Sequence, residues 1–483
     1  MLGGGLLALA LAGGAATYAV AAFSGGGAQP ESLIPSSALA MVRVDLDPSA
    51  GQKIDALRFA RKFPDAKSRL GSSDDPRRAL FDSLRLDSTL SGDWEKDVEP
   101  WLGQRAAVAV LPGATAADEP KPIVVLAVTD EAEARTGLAR VVGSAGGCVV
   151  ADEFAVCAQD RAVASRAVSD AEKSSLADNA TFDTDIGTLG SSLAVGWADL
   201  AKIKAAVPAL SKAVPGMAGS GLGGALGGAA GGNLTGRYMV ALRFDGPHLE
   251  LAGRVAGSKL LSTTGSSGIG DLPAGTVAAV GVGGADQLVA MAWDQLEATV
   301  AAAGPTGALD EQVAQIKQQY GIDVPSDISA AVGKQLVVAY GGGTEGDIPR
   351  VAVRLGGSAE KVTSLVAAAN DALGGELTLA QASAGASSSA GAGGTVVASS
   401  TGYASEVAGG SGLGSSKVFQ DAVPDAANAQ QVMFVDVAAA LAIASQYGMP
   451  TQERRNLEPL AAVGVTVSHE ASDATFRARL TTK

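Results

Sequence analysis

IPSSALAMVRV at residues 34–44 and LPAGTVAAVGV at residues 272–282 are two versions of one pattern: an apolar residue and Pro, a short polar or small step, then apolar residues entering a strand. They lie 238 residues apart, and other segments recur in the same order at nearly the same distance. WLGQRAAVAV from Trp101 matches AVGKQLVVAY from Ala331 at 230 residues. IVVLAVTDEAEARTGLARVV from Ile123 matches VAVRLGGSAEKVTSLVAAAN from Val351 at 228, each reading as a strand, a polar turn and a helix. Phe182–Asp199 matches Phe419–Asp436 at 237, and both end in a strand and an Asp suited to capping the next helix. YMVALRFDGPHLELAGRV from Tyr238 and VGVTVSHEASDATFRARL from Val463 both read as alternating strands joined by a polar turn.

Five collinear matches point to a duplicated unit in which hairpins dominate and helices cluster between them. That pattern predicts an α+β class with mostly antiparallel sheets. The expected organisation is an N-terminal transmembrane helix or uncleaved signal anchor over residues 1–24 and a spacer over 25–32. A first α+β repeat follows over 33–257, a linker over 258–270, and a second α+β repeat over 271–483. The Gly-rich stretch 216–232 and the small-residue run 382–394 sit at different places in the two copies, and both read as loop insertions. After the first strand, Asp47 and Pro48 suit a helix start and Pro64 its end. In the second copy Gln287–Ala301 takes that place, with Leu288, Met291, Leu296 and Val300 on an apolar stripe expected to pack on its sheet.

Apolar residues make up 47% of the 483 positions, enough to order a packed chain, while aromatic residues are only 4%, so the cores are built mainly from Ala, Val and Leu. A formal charge of −14 argues against nucleic acid as a partner, because neutralising phosphates takes an extended basic surface.

Leu2–Phe23 carries no charge, and at about 1.5 Å per helical residue it is long enough to cross a hydrocarbon layer of about 30 Å. Ala19-Val20-Ala21 supports a competing reading as a cleaved signal peptide. The run exceeds the usual apolar core of such a signal, which favours a retained anchor. The expected location is the cell membrane, single-pass, with the bulk of the chain extracytoplasmic. The membrane is then a partner through Leu2–Phe23.

The two cysteines, Cys148 and Cys157, flank a candidate two-residue turn at Asp152-Glu153. Counting outward from that turn places them in a non-hydrogen-bonded pair, where side chains approach most closely, so a cross-strand disulfide is a candidate and suits an oxidising exterior. Two small buried thiols are the other reading.

Local motifs for chemistry are weak throughout. His248 and His469 each sit near the turn of a terminal hairpin, too few for a multi-His metal site and without a Gly-x-Ser-x-Gly elbow. Gly219-Ser220-Gly221-Leu222-Gly223-Gly224 fits a dinucleotide pattern only formally, because no strand precedes it. Asp45 and Asp47 share a strand face with Arg43, which reads as a solvent face. The Arg58-Arg61-Lys62 and Arg77-Arg78 clusters read as solvated. No catalytic residue, cofactor or metal ligand is assigned, and the chain is expected not to be an enzyme.

The run IPSSALAMVRVDLDPSAGQKIDALRFARKFP, above all Val42–Lys53, resembles an uncharacterised family of actinobacterial membrane-anchored envelope proteins classed as a domain of unknown function. The likeness implies location and architecture over most of the chain and carries no functional residue. The leading expectation is a non-enzymatic module binding a lipid or other apolar envelope ligand, with a scaffold for an envelope protein partner as the alternative. A closed apolar cavity would favour the carrier and an exposed apolar patch the scaffold.

Overall fold

Period-two alternation along short Val- and Ala-rich runs sets the architecture, because each strand can bury one face and leave the other free. The computed structural model describes residues 29–46, 48–64, 75, 77–78, 81, 92–115, 118–142, 147–206, 235–257, 263–303, 307–372, 380–384, 394–410 and 412–483. The described residues fall into two compact units, one ending at residue 257 and the other beginning at residue 263.

In unit 1 the strands are β1 (Ala40–Asp45), β2 (Leu102–Leu111), β3 (Lys121–Val128), β4 (Gly147–Ala151), β5 (Phe154–Ala158), β6 (Ala194–Asp199), β7 (Arg237–Asp245) and β8 (His248–Ala256). They run in the order β8-β7-β6-β1-β2-β3-β5-β4, every pairing antiparallel. The helices are α1 (Ala50–Ala60), α2 (Glu131–Val141), α3 (Arg161–Lys173), α4 (Ala180–Gly187) and α5 (Leu200–Ala206).

Unit 2 contains β9 (Ala278–Gly283), β10 (Gln335–Glu345), β11 (Ile348–Leu355), β12 (Ala380–Ala384), β13 (Gly394–Ala398), β14 (Gln431–Asp436), β15 (Leu460–Glu470) and β16 (Asp473–Thr482). Its order, β16-β15-β14-β9-β10-β11-β13-β12, repeats that of unit 1 strand for strand. Its helices are α6 (Ala285–Ala303), α7 (Ala308–Tyr320), α8 (Ser326–Val332), α9 (Ala359–Ala372), α10 (Thr401–Gly409), α11 (Lys417–Ala422), α12 (Val437–Gln446) and α13 (Thr451–Leu457).

Register makes the correspondence residue-specific. The row Val42–Val108–Val124 in unit 1 lies where Val280–Val338–Val353 lies in unit 2, giving spacings of 238, 230 and 229 residues. The last differs by one from the spacing that aligns Ile123 with Val351. A one-residue slip exchanges the faces of a strand, and Ile123 is fully buried while Val351 is 40% exposed.

One face of each sheet carries the main core. In unit 1, Met41, Ile123, Val195 and Met239 pack beneath α3 and α4, and Phe182 of α4 meets the Trp197 ring edge-on at 5.4 Å. In unit 2, Val337, Val432 and Phe434 pack beneath α10 and α11, with Phe419 edge-on to Phe434 at 5.2 Å. Asp199 and Asp436 each accept a hydrogen bond from the backbone N–H three residues on, starting α5 and α12. Residues 263–270, assigned to a linker above, lie against β9. A Cβ at Gly281 would stand 2.6 Å from the Ser267 carbonyl oxygen, and one at Gly283 2.4 Å from that of Gly265.

Several expectations are corrected. No described helix is long and apolar enough to cross a membrane, so the fold class is α+β with antiparallel sheets and the transmembrane helix is withdrawn. The longest described helix, α6, includes Asp286, Asp294 and Glu297. Leu2–Phe23 and Gly216–Gly232 lie outside the described residues. So does most of the 382–394 run, of which Ala382–Ala384 belong to β12 and Gly394 to β13. Arg43 and Asp45 share the face of the buried Met41 rather than a free solvent face. Arg43 pairs with the buried Glu31 and Asp45 with Arg105 at 3.2 Å, while Asp47 lies outside the described residues.

Candidate functional site

The second face of each sheet is where the units differ. In unit 1 it is capped at both ends. Phe59 of α1 packs on Phe244 of β7 at 5.4 Å, and Gln52 clamps the Phe244 backbone, donating to its carbonyl at 2.6 Å and accepting from its N–H at 2.7 Å. At the opposite end Ala134 and Leu138 of α2 cover Trp101, Val128, Val150 and Ala155.

The Cys148–Cys157 pair lies under α2 on this face. The two residues stand opposite each other in the β4–β5 hairpin, are joined by a disulfide, and have Cα atoms 4.0 Å apart. The turn residues Asp152 and Glu153 have φ of 44° and 64°, the left-handed pair a two-residue hairpin turn requires.

In unit 2 the corresponding face is open at its centre. A single cross-strand row runs Val353–Val338–Val280–Met433–Val465–Ala478. Val280, Val338 and Met433 in its middle are 44%, 40% and 37% exposed. The flanking rows, through Leu336 and through Tyr340, contribute Gln431 and Tyr340 as their polar members, and no charged side chain enters any of the three. Packing of α8 and α9 on Val397 and Leu355 covers only the β11–β13 end. Where unit 1 has Gly196, Ala194 and Ala106, unit 2 has Met433, Gln431 and Leu336, so side chains stand out from its sheet.

The helix after the first strand explains the opening. In unit 1, α1 closes over β7 and β8. In unit 2, α6 lies beside α8 and β10, and its stripe at Leu288, Met291, Leu296 and Val300 is not buried. That expected packing on the sheet is therefore corrected for α6. At the position of Phe244 stands His469, whose N–H donates to Gln430 Oε1 at 2.8 Å, a second Gln clamp drawn from a different element. His469 Nε2 is buried without a hydrogen-bond partner, and burial depresses its pKa.

The folded form thus takes up a proton on His469 at lower pH than the unfolded chain, which does so near pH 6.5. Stability contributed by His469 is fully present above that value and is lost as pH falls through the lower folded pKa. His469→Phe is expected to remove this part of the decline between neutral pH and pH 5, read by urea midpoints at each pH. An unchanged pH slope would show that His469 protonates freely in the folded chain.

Polar groups elsewhere are structural in their geometry. Asp185 accepts from Trp197 Nε1 at 3.0 Å and from Arg237 at 2.6 and 3.2 Å. Tyr403 is buried against Gly341 with the Arg350 guanidinium 4.7 Å above its ring, and burial pushes its phenol up to about 12. Among the described residues no group of three or more His, Cys, Asp or Glu is placed to hold a metal ion.

These features define a two-unit α+β protein with a disulfide-tied hairpin and one open, uncharged sheet face. Residues 1–153 match a family model described as a protein of unknown function (DUF3352), a shorter stretch than the resemblance of the N-terminal run implies. No curated protein and no solved structure matches the chain.

Proposed function

We propose that this chain is a non-enzymatic binding module acting outside the cytoplasm, and that its contact surface is the open face of the unit 2 sheet. The observation that carries the reading is the exposure of Val280, Val338 and Met433 in one uncharged row. A contiguous apolar patch on a folded surface stays exposed at a cost unless a partner covers it. The face is open, whereas pockets for small apolar ligands enclose most of the ligand. That contrast favours an apolar surface on an envelope protein partner over a lipid held inside the fold. The Cys148–Cys157 disulfide supports an oxidising compartment, because cytosolic thiols are kept reduced.

A lipid ligand is the second reading, favoured by one observation in unit 1. The Tyr238 hydroxyl is buried without a partner on a sheet row that continues into Ala198 and Ala40. Native mass spectrometry with solvent extraction, run on the chain and on a Val280→Lys/Val338→Lys variant, tests both. The variant is expected to lower stability by about 1–2 kcal/mol, because the two Lys stand directly opposite each other in one cross-strand pair, while it stays folded and bis-ANS binding to the face falls. A stoichiometric co-purifying lipid would overturn the protein-partner reading. Undiminished dye binding in the variant would remove the face from consideration.

A further inference from the structure

The outward face of α1 is basic in a chain that is acidic as a whole. Gln52, Ala56, Phe59 and Ala60 turn inward, where Gln52 and Phe59 hold β7. The opposite arc carries Ile54, Arg58 and Arg61 at spacings of four and three, which places them on one stripe. Lys53 and Leu57 border that stripe on one side, and Lys62, just past the helix end, borders it on the other. Ile54 is 50% exposed and the Arg58 side chain 69%, and Arg61 and Lys62 are exposed as well.

Charge points to the occupant. From Ala50 to Lys62 four cations stand against one carboxylate, Asp55, which pairs with Arg58 at 3.2 Å, while the whole chain carries −14. The corresponding helix of unit 2, α6, contains Asp286, Asp294 and Glu297 and no cation, so the basic arc is a feature of unit 1 and not of the duplicated plan. Free phosphates or carboxylates attract the cations but offer nothing to an exposed isoleucine set among them. A membrane surface takes both, with Lys and Arg at anionic headgroups and the apolar side chain at the boundary of headgroups and acyl chains.

We infer that the outward arc of α1 makes a peripheral contact with an anionic lipid surface. Arg58, Arg61 and the flanking Lys53 and Lys62 face the headgroups, and Ile54 enters between them. Nothing in this contact crosses the bilayer. It shares no residue with the open sheet face of unit 2, so either surface can fail without the other.

A label on the arc gives a local readout. Gly51 is exposed on the same side of α1, and a Cβ there would meet nothing within 4 Å. The two native cysteines are joined to each other, so Gly51→Cys takes a thiol-reactive NBD group at one place. The labelled full chain is titrated with vesicles of phosphatidylglycerol and phosphatidylcholine in equal parts, and with vesicles of phosphatidylcholine alone. The mixed vesicles are expected to brighten and blue-shift NBD, and phosphatidylcholine to leave it unchanged. Affinity should fall about thirtyfold in Arg58→Gln/Arg61→Gln, the worth of two cations near an anionic surface, and severalfold on raising salt. Ile54→Ser should weaken binding severalfold and keep the preference for anionic vesicles. All three positions are exposed, so the urea midpoints of these variants should stay close to that of the parent chain.

An equal NBD response to both vesicle types, no response to either, or undiminished binding by Arg58→Gln/Arg61→Gln overturns the proposal. A response that grows with protein concentration without vesicles also overturns it and assigns the arc to the acidic surface of a second copy. A matching response to poly-glutamate does the same in favour of an acidic protein.

Discussion

Asp185→Ala is expected to lower the stability of the chain by about 2–4 kcal/mol, because one truncation strands the buried Trp197 indole N–H and takes the carboxylate away from the Arg237 guanidinium. Asp185 is 4% exposed and is the acceptor for both Trp197 Nε1 and the Arg237 guanidinium. Losing it leaves an indole N–H buried without a partner and a cation with part of its charge facing the core. The side chain of Arg237 is 31% exposed, so water offsets some of this, and the estimate stands below the upper end for fully buried pairs.

Unit 2 shows the same positions without charge. Register places Phe434 and Ala462 where unit 1 has Trp197 and Arg237, the 237-residue spacing that aligns Phe419 with Phe182 puts Ala422 at the position of Asp185, and all three are at most 1% exposed. The triple variant Asp185→Ala/Trp197→Phe/Arg237→Ala is therefore expected to recover at least half of the loss, since an apolar replacement strands nothing. Urea unfolding of the single and triple variants decides the matter. A triple variant worse than the single one would show that neighbouring packing in unit 1 has adapted to the charged network.

Removal of the disulfide is expected to cost about 2–3 kcal/mol, the chain-entropy value for a closed loop of about ten residues. Cys148 and Cys157 are nine residues apart in sequence, and β5 is the strand that pairs with β4 in the unit 1 sheet. Their double replacement by Ser should loosen the hairpin before the rest of the sheet, so hydrogen exchange at Val149, Val150 and Val156 should accelerate most. A loss confined to a few tenths of a kcal/mol would mean that α2 packing on Val150 and Ala155 already holds the strand.

The antiparallel α+β character is legible in the residues because alternation, two-residue turns and Asp caps are local. A strand at Ala40–Asp45 or a cap at Asp436 depends on neighbours a few positions away. Register between distant strands is only partly legible. An Ala- and Val-rich strand such as Val351–Leu355 matches its counterpart nearly as well when displaced by one residue, and only the ladder to Val338 distinguishes the faces.

The sequence alone determined most of the strands and helices of the two units, caps such as Asp199 and Asp436, and where the Cys148 hairpin turns, since each of these is written within a few residues, whereas α1 starts at Ala50 behind Ser49 rather than at Pro48. Tertiary structure alone decided which face each strand buries, why Gly281 and Gly283 must lack side chains, and that α1 closes over its sheet while α6 does not. The reason is physical. An apolar stripe specifies that a helix should be covered, but not by what, because burial is rewarded without regard to direction. In unit 1 Phe59 meets Phe244, whereas in unit 2 His469 stands at that position and the α6 stripe, like the row through Val280, stays open.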